Sequence, residues 1–206
     1  MQVKKEDINN DILKSARSLF LRKGFARTSI HDIADKAGVG MSNIYNYFGN
    51  KDQILNALVA PAIEMLEETM LKHGTENPEE YYQELKQMSD EFITKTTNTY
   101  CKLISKYSWQ LELLFFKAKG SLLEDYFDKF TDRCTECVKE FLLALKNSNP
   151  DFTHNFDDFT IHIHTARMLT LFREMVMHKP KINKMKEIIA VCIRFESAGW
   201  TSLINE

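Results

Sequence analysis

Apolar residues recur at helical spacing along almost the whole chain. Ile8, Ile12, Ala16, Leu19 and Phe20 form one stripe, which predicts a first helix from about residue 4 to Lys23, closed by Gly24. The run Ser29, Ile30, His31, Asp32 is a capping-box variant, with Asp where Glu or Gln is more usual. It opens a second helix through Ile33, Ala34 and Ala37. Gly38 ends that helix and supplies a positive φ for the turn, and a third, short helix covers roughly residues 41–47. Asn50 or Gly49 caps a fourth helix, whose Ile54, Leu55, Leu58, Ala62 and Leu66 make one apolar stripe. Pro61 lies inside that stripe. Lacking an N–H for the Ala57 carbonyl, it should kink or break the helix and place a hinge there.

Downstream the pattern predicts long helices at about 78–96, 100–118, 121–147, 154–178 and 182–204, with Pro78 at a first helical position and Pro150 and Pro180 in connections. Asn-Gly turn dipeptides are missing, and no internal repeat or low-complexity tract appears. The expected class is therefore all-α. The last two helices are apolar around much of their circumference. Phe159, Ile163, Ala166, Leu169 and Val176 follow one stripe, broadened by Met168, Leu171, Phe172 and Met175. In the final helix Ile188, Cys192, Phe195 and Gly199 lie beside Ile189, Ile193, Trp200 and Ile204. Helices of this kind need covering on more than one side, which suggests a subunit interface.

The segment from Phe20 to Lys51 places a capped short helix, a glycine turn and a second short helix within about thirty residues, the layout of a helix-turn-helix DNA reader. In its second helix Asn43 and Asn46 share one face while Ile44 and Phe48 turn the other way. One face packs and the other can read.

Charge sharpens this picture. The chain carries a formal net charge of −2, but residues 1–60 hold nine Lys/Arg against six Asp/Glu, and the remainder 18 against 23. A dimer would present two such basic N-terminal patches to DNA phosphates. Four glycines fall in the first fifty residues and all four prolines after residue 60, so the two parts use different punctuation. We expect a helix-turn-helix domain over residues 1–50 and a helical effector-binding and dimerisation domain over 51–206. The first residues have no apolar stretch behind their lysines, and the longest apolar run, 188–193, is too short to span a bilayer. No membrane association is expected, and a cytoplasmic location follows. Cys101, Cys134, Cys137 and Cys192 are too sparse for a disulfide scaffold.

The order Ala16-x-x-Leu19-Phe20, Gly24-Phe25, Thr28-Ser29, Ile33-Ala34, Ala37-Gly38-Val39, Ile44-Tyr45-x-Tyr47-Phe48 and Lys51 closely resembles the N-terminal domain of the TetR family of bacterial transcriptional regulators. The resemblance covers about fifty residues. It implies a homodimer with an all-helical C-terminal core, the last two helices of each subunit pairing in a four-helix bundle, and a small-molecule pocket among the central helices. Two departures stand out. Gly40 replaces the Ser that usually follows Ala-Gly-Val, and Met41-Ser42-Asn43 stands where Lys-Gly-Thr is common. Those positions read sequence, so the operator is not transferable from a relative.

Within that layout Asn43 and Asn46 suit bidentate contacts to adenine, Ser42 suits either base, and Met41 or the Tyr45 ring suits a thymine methyl. Lys51, Tyr47, Thr28 and Ser29 sit at helix starts, where phosphate contacts position the protein rather than specify sequence. The plainer alternative is that these groups cap and solvate a short helix, and for His31 a solvated face is an equal reading. The aromatic-rich stretch from Tyr81 to Phe130 and its methionines furnish an apolar pocket: Met65, Met88, Phe92, Tyr100, Tyr107, Trp109, Phe116, Tyr126, Phe127, Phe130 and, from a later helix, Met168. For any one of them, ordinary core is the simpler reading. Cys134-x-x-Cys137 has metal or redox spacing but no second pair or nearby His, and His162 and His164 point apart on a helix, so no metal and no cofactor is expected.

The expected function is a ligand-responsive repressor, released from a palindromic double-stranded DNA operator by a small apolar or aromatic molecule. Effector binding would move the helix after Lys51, hinged near Pro61, and change the separation of the two reading heads of a homodimer. Two alternatives stay open: a DNA-binding architectural protein, or an activator, without a small-molecule effector. Catalysis is not expected, since no phosphate loop, nucleophile elbow or His-Glu-x-x-His is present.

Overall fold

The computed structural model describes residues 2–70, 77–148, 152 and 155–204, without the side chains of residues 2–6, 70 and 204. Every regular element among them is helical: α1 (Gln2–Lys23), α2 (Ile30–Ala37), α3 (Met41–Tyr45), α4 (Lys51–Met70), α5 (Pro78–Gln87), α6 (Asp90–Lys106), α7 (Ser108–Glu112), a single π-helical turn (Leu113–Lys117), α8 (Tyr126–Ser148), α9 (Asp158–His178) and α10 (Ile182–Ile204). Pro150, expected in a connection, lies outside the described residues.

The chain divides into two compact units. The first joins residues 1–64 to 107–127, and the second joins 65–106 to 128–206. In the first unit α1 buries Ile12, Ala16, Leu19 and Phe20, the stripe expected from their spacing, and α1 packs against α2 and the π-helical turn. The backbone N–H of Phe25 donates to the Lys117 carbonyl at 2.9 Å, and the Arg17 guanidinium lies 4.0 Å over the Trp109 ring. The Leu122 N–H donates to Asp52 at 2.8 Å. Residues 107–127 are thus built into the N-terminal unit rather than into the second.

The second unit has an apolar cluster of Tyr82, Leu142, Leu145, Phe152 and Ile161, flanked by Val138, Phe141, Phe156 and Trp200. α10 packs against α5 and α6. Pro78 opens α5, as expected, with the Asn77 side chain accepting from the Glu80 N–H.

Several helix boundaries differ from the spacing-based reading. α4 runs unbroken through Pro61. Pro61 and Ala57 are both exposed, so the bond lost at the Ala57 carbonyl faces water, while buried Leu58, Val59 and Ala62 on the other side hold the helix. The segment 78–96 divides at Met88, which adopts a left-handed conformation at φ 44°, and α6 restarts at once because the Ser89 hydroxyl accepts from the Phe92 N–H at 3.1 Å. α6 then continues through the polar Thr97-Asn98-Thr99 stretch, where a gap was expected. The segment 100–118 divides at Tyr107 and ends in the π-helical turn. α8 begins only at Tyr126, and α9 begins at Asp158, with Asp157 accepting from the Thr160 N–H at 3.0 Å.

Candidate DNA-reading helix and ligand cavity

The entry to α2 is fixed by local chemistry. Ser29 is extended, its Oγ accepts from the Asp32 N–H at 3.0 Å, and Asp32 Oδ2 accepts from the Ser29 N–H at 2.7 Å. The two groups satisfy each other reciprocally, which makes the predicted capping box real in spite of its Asp. Lys23 Nζ, from the end of α1, reaches the same carboxylate at 2.9 Å. Lys23, followed by the Ser29 N–H and hydroxyl, holds the Asp32 carboxyl well below the usual carboxylate range. Gly38 closes α2 at φ 66°, and its N–H turns back to Ala34 and Asp35.

Three residues, Gly38 to Gly40, separate α2 from α3, which is anchored by Ile44, fully buried, and by Phe48 just beyond its end. The opposite side faces out: Met41 is 41% and Tyr45 53% exposed, Ser42 and Asn46 are exposed, and Asn43 is half-buried. An apolar anchor behind and two amides at i and i+3 in front can meet base edges in a major groove.

The helix-start residues have other partners. Thr28 is 1% exposed and its hydroxyl donates to the Gly24 carbonyl at 2.8 Å. Lys51 Nζ donates to the carbonyls of Phe25 at 2.9 Å and Thr28 at 2.7 Å, and lies 4.1 Å over the Phe25 ring. Burial, first, lowers its pKa against the pull of Asp52 and Asp32. Lys51 therefore ties the α4 start to the turn before α2. His31 Nδ1 sits 3.0 Å from Asp35, Ser29 is occupied by its cap, and Tyr47 is half-buried.

The second unit encloses a cavity of about 510 Å³ with walls from α5, α6, α8, α9 and α10. Phe92, Ile104, Phe141, Met168, Leu171 and Phe172 supply much of the apolar lining. The Tyr81 ring meets Phe92 edge-on at 6.2 Å and Phe141 at 5.7 Å. Polar groups are few: Tyr81, Thr96, Tyr100, Cys134, Cys137, His164, Thr165, Cys192, Ser197 and the Trp200 indole. Arg167 and Glu196 also reach the lining but pair with each other at 2.8 Å. Burial pushes the Tyr81 phenol up to about 12 and the Cys134 thiol up to about 12, and drives the Tyr100 phenol higher still. A wall of neutral groups in an apolar shell holds an uncharged guest better than an ion.

Residues 12–58 match the family described as bacterial regulatory proteins, tetR family. The N-terminal segment carries the TetR-family pattern. The chain is 37% identical over 59 residues to the HTH-type transcriptional repressor Rv3405c of Mycobacterium tuberculosis, a match covering 29% of this chain and 31% of that protein. The chain thus spans about a third of the length of that curated relative. Two solved structures share the fold across nearly the whole chain. One is a TetR-family protein of Syntrophomonas wolfei, with TM-score 0.56 and 21% identity over 94% of this chain and 96% of that one. The other is NalD of Pseudomonas aeruginosa, the secondary repressor of the MexAB-OprM multidrug efflux pump, with TM-score 0.58 and 19% identity over 92% and 95%. Among the described residues, no helix is long and apolar enough to cross a membrane, and no His/Cys/Asp/Glu group is arranged to hold a metal ion.

The predicted reading residues Met41, Ser42, Asn43, Tyr45, Asn46 and Tyr47 all fall on α3 or just after it. Of the predicted pocket residues, Phe92, Tyr100 and Met168 line the cavity. Tyr107, Trp109, Phe116, Tyr126 and Phe127 belong to the first unit, where Phe116 and Phe127 meet Phe115 edge-on at 6.4 Å and 5.3 Å. Met65, Met88 and Phe130 lie in the second unit but not in the lining. The lining also includes Tyr81, Phe141, Thr165, Leu171 and Phe172. Their signal in the sequence was helical spacing on α5, α8 and α9, which core and cavity walls share.

Proposed function

We propose that this chain is a ligand-responsive DNA-binding transcriptional regulator of the TetR family: a repressor that leaves a palindromic operator when a small apolar or aromatic molecule occupies the cavity. The observation that carries the reading is the coexistence in one chain of an outward α3 face, with Asn43 and Asn46, and a largely apolar cavity in the other unit. An architectural DNA-binding protein has no use for the second. Repression is favoured by the kind of protein the chain is similar to, since Rv3405c and NalD are both described as repressors. In this reading residues 1–50 read DNA, residues 51–206 sense and dimerise, and the protein works in the cytoplasm, where the operator is. The test is selection of duplexes from a random library, followed by titration of the selected site with apolar ligands. Enrichment of a palindrome with Asn43-dependent preference is expected, and a selection that enriches no sequence would sink the reading.

The regulator acts as a homodimer through α9 and α10. Phe159 is 71%, Ile163 49%, Val191 66% and Phe195 65% exposed on these two helices, apolar side chains that a second copy can cover. A Cβ added at Gly199 meets nothing within 4 Å, so Gly199→Leu has room within one subunit and obstructs only a helix from outside. Sedimentation should show the variant shifted towards monomer at unchanged helix content. A wild-type monomer at micromolar concentration overturns the dimer.

A further inference from the structure

Thr165, on α9, is 3% exposed and lines the cavity, and its Oγ1 is buried without a hydrogen-bond partner. Helical threonines commonly return the hydroxyl to the carbonyl four residues back. Thr135 on α8 does so to Thr131 at 2.9 Å, and Thr99 on α6 to Lys95 at 3.0 Å. Thr165 does not. A hydroxyl buried without a partner penalises the folded state, and that penalty is relieved by whatever brings a partner into the cavity. The surroundings narrow what that can be. Arg167 is the lining's one Lys or Arg, and it is already paired with Glu196. Besides His164, which lies 3.4 Å from the Arg167 guanidinium, no basic side chain of the lining is left to neutralise a carboxylate, and an uncompensated charge is costly beside Phe92, Phe141 and Phe172.

We propose that Thr165 is the specificity-determining hydrogen-bond partner of the effector, and that the effector is a neutral molecule: an apolar, in part aromatic skeleton bearing a hydroxyl, ketone or ester oxygen that meets Thr165 Oγ1. Free carboxylic acids of the same skeleton are excluded. This rests on the reading of the cavity as the effector site. The aromatic part is placed by Tyr81, Phe92 and Phe141, whose rings already meet edge-on and offer a guest the same geometry. The hydroxyl supplies direction: it orients the guest along α9 in a cavity whose other walls are largely non-directional.

The experiment uses the full chain and the fluorescence of bound N-phenyl-1-naphthylamine, competed by naphthalene, 2-naphthol and 2-naphthoate at neutral pH. Wild type should take 2-naphthol roughly five- to tenfold more tightly than naphthalene, with 2-naphthoate weakest. Thr165→Val, which keeps the side-chain shape and removes the hydroxyl, should erase the naphthol advantage, leave naphthalene unchanged and melt no lower than wild type. Thr165→Ser should keep the advantage. If the valine variant folds poorly, Thr165→Ala gives the same ratio. Equal losses for naphthalene and naphthol would overturn the role of Thr165 while leaving the cavity as effector site. Naphthoate binding more tightly than naphthol would overturn the neutral class. A wild-type chain that binds none of the probes would remove the cavity reading itself, and this proposal with it.

Discussion

The two units solve the same problem, burying helix faces, by different means. The helix-turn-helix of the N-terminal unit is fixed largely by short-range chemistry, a capping box at Ser29 and Asp32, the Lys23 carboxylate contact across one loop and a left-handed Gly38, while the Lys51 clamp and residues 107–127 add longer-range contacts. The second unit has its cluster and cavity built from residues 81 to 200, far apart in sequence. Local bonds give the reading head one geometry. Long-range apolar walls give the second unit a space whose shape depends on every contributing helix.

The largest expected effect comes from removing the core of the reading head. Phe20 is fully buried, and Phe20→Ala should cost about 3–5 kcal/mol in chemical unfolding. Operator binding should be lost while probe binding in the cavity is retained. If cavity binding fails in step with operator binding, the two units do not stand on separate cores and the contrast falls.

A smaller pair of effects separates reading from clamping. Asn43→Ala should weaken the selected operator by about 1–3 kcal/mol and relax preference at one base pair per half-site, with unchanged melting. Lys51→Ala leaves two carbonyls without their charged donor, and should lower stability by about 1–3 kcal/mol. Its effect on DNA should follow the loss of folded head. If Lys51→Ala instead melts as wild type and flattens the salt dependence on all duplexes alike, the ammonium serves phosphate and not the clamp.

The smallest effects test whether the head is as local as it looks. Ser29→Ala should cost about 1 kcal/mol, and Ser89→Ala, which removes the cap of α6, a similar amount in the other unit. Asp32→Asn should lower the thermal midpoint at neutral pH. The Asp32 carboxyl is held below its ordinary 3.8 by Lys23 and Ser29. Its contribution is therefore present in full above that value and is lost as pH falls through and below it. The gap between wild type and Asp32→Asn should close on acidification below about pH 4. A gap that stays constant would mean that shape, not charge, supports the α2 entry.

The reading head was legible in the sequence because its determinants are neighbours along the chain. Ser29 and Asp32 are three residues apart, Gly38 must be left-handed to turn α2 into α3, and Ile44 and Phe48 mark the inner face by spacing alone. Where the sequence reading stayed local it also placed Pro78 at the start of α5. It missed the break at Met88 and Ser89, although Ser89 with Asp90 and Glu91 behind it is an ordinary helix start, because the apolar spacing of 78–96 continues across the break. It allowed Pro61 too much, since a proline on the exposed side of an otherwise buried stripe loses one bond to water and leaves the helix standing.

What the sequence by itself determined is therefore the helical class, the helix-turn-helix and the inward placement of Ile44 and Phe48, all set by periods and caps within a few residues. Only the tertiary structure decided that Trp109, Phe116 and Tyr126 build the first unit while Phe92, Tyr100 and Met168 line the cavity. It also turned Lys51 inward and left the buried Thr165 hydroxyl unpaired in a residue of the cavity wall. The physical reason is that an aromatic stripe reports only that a face must be buried. Whether it is buried against another helix or around a cavity depends on partners many residues away, which no spacing along one helix encodes.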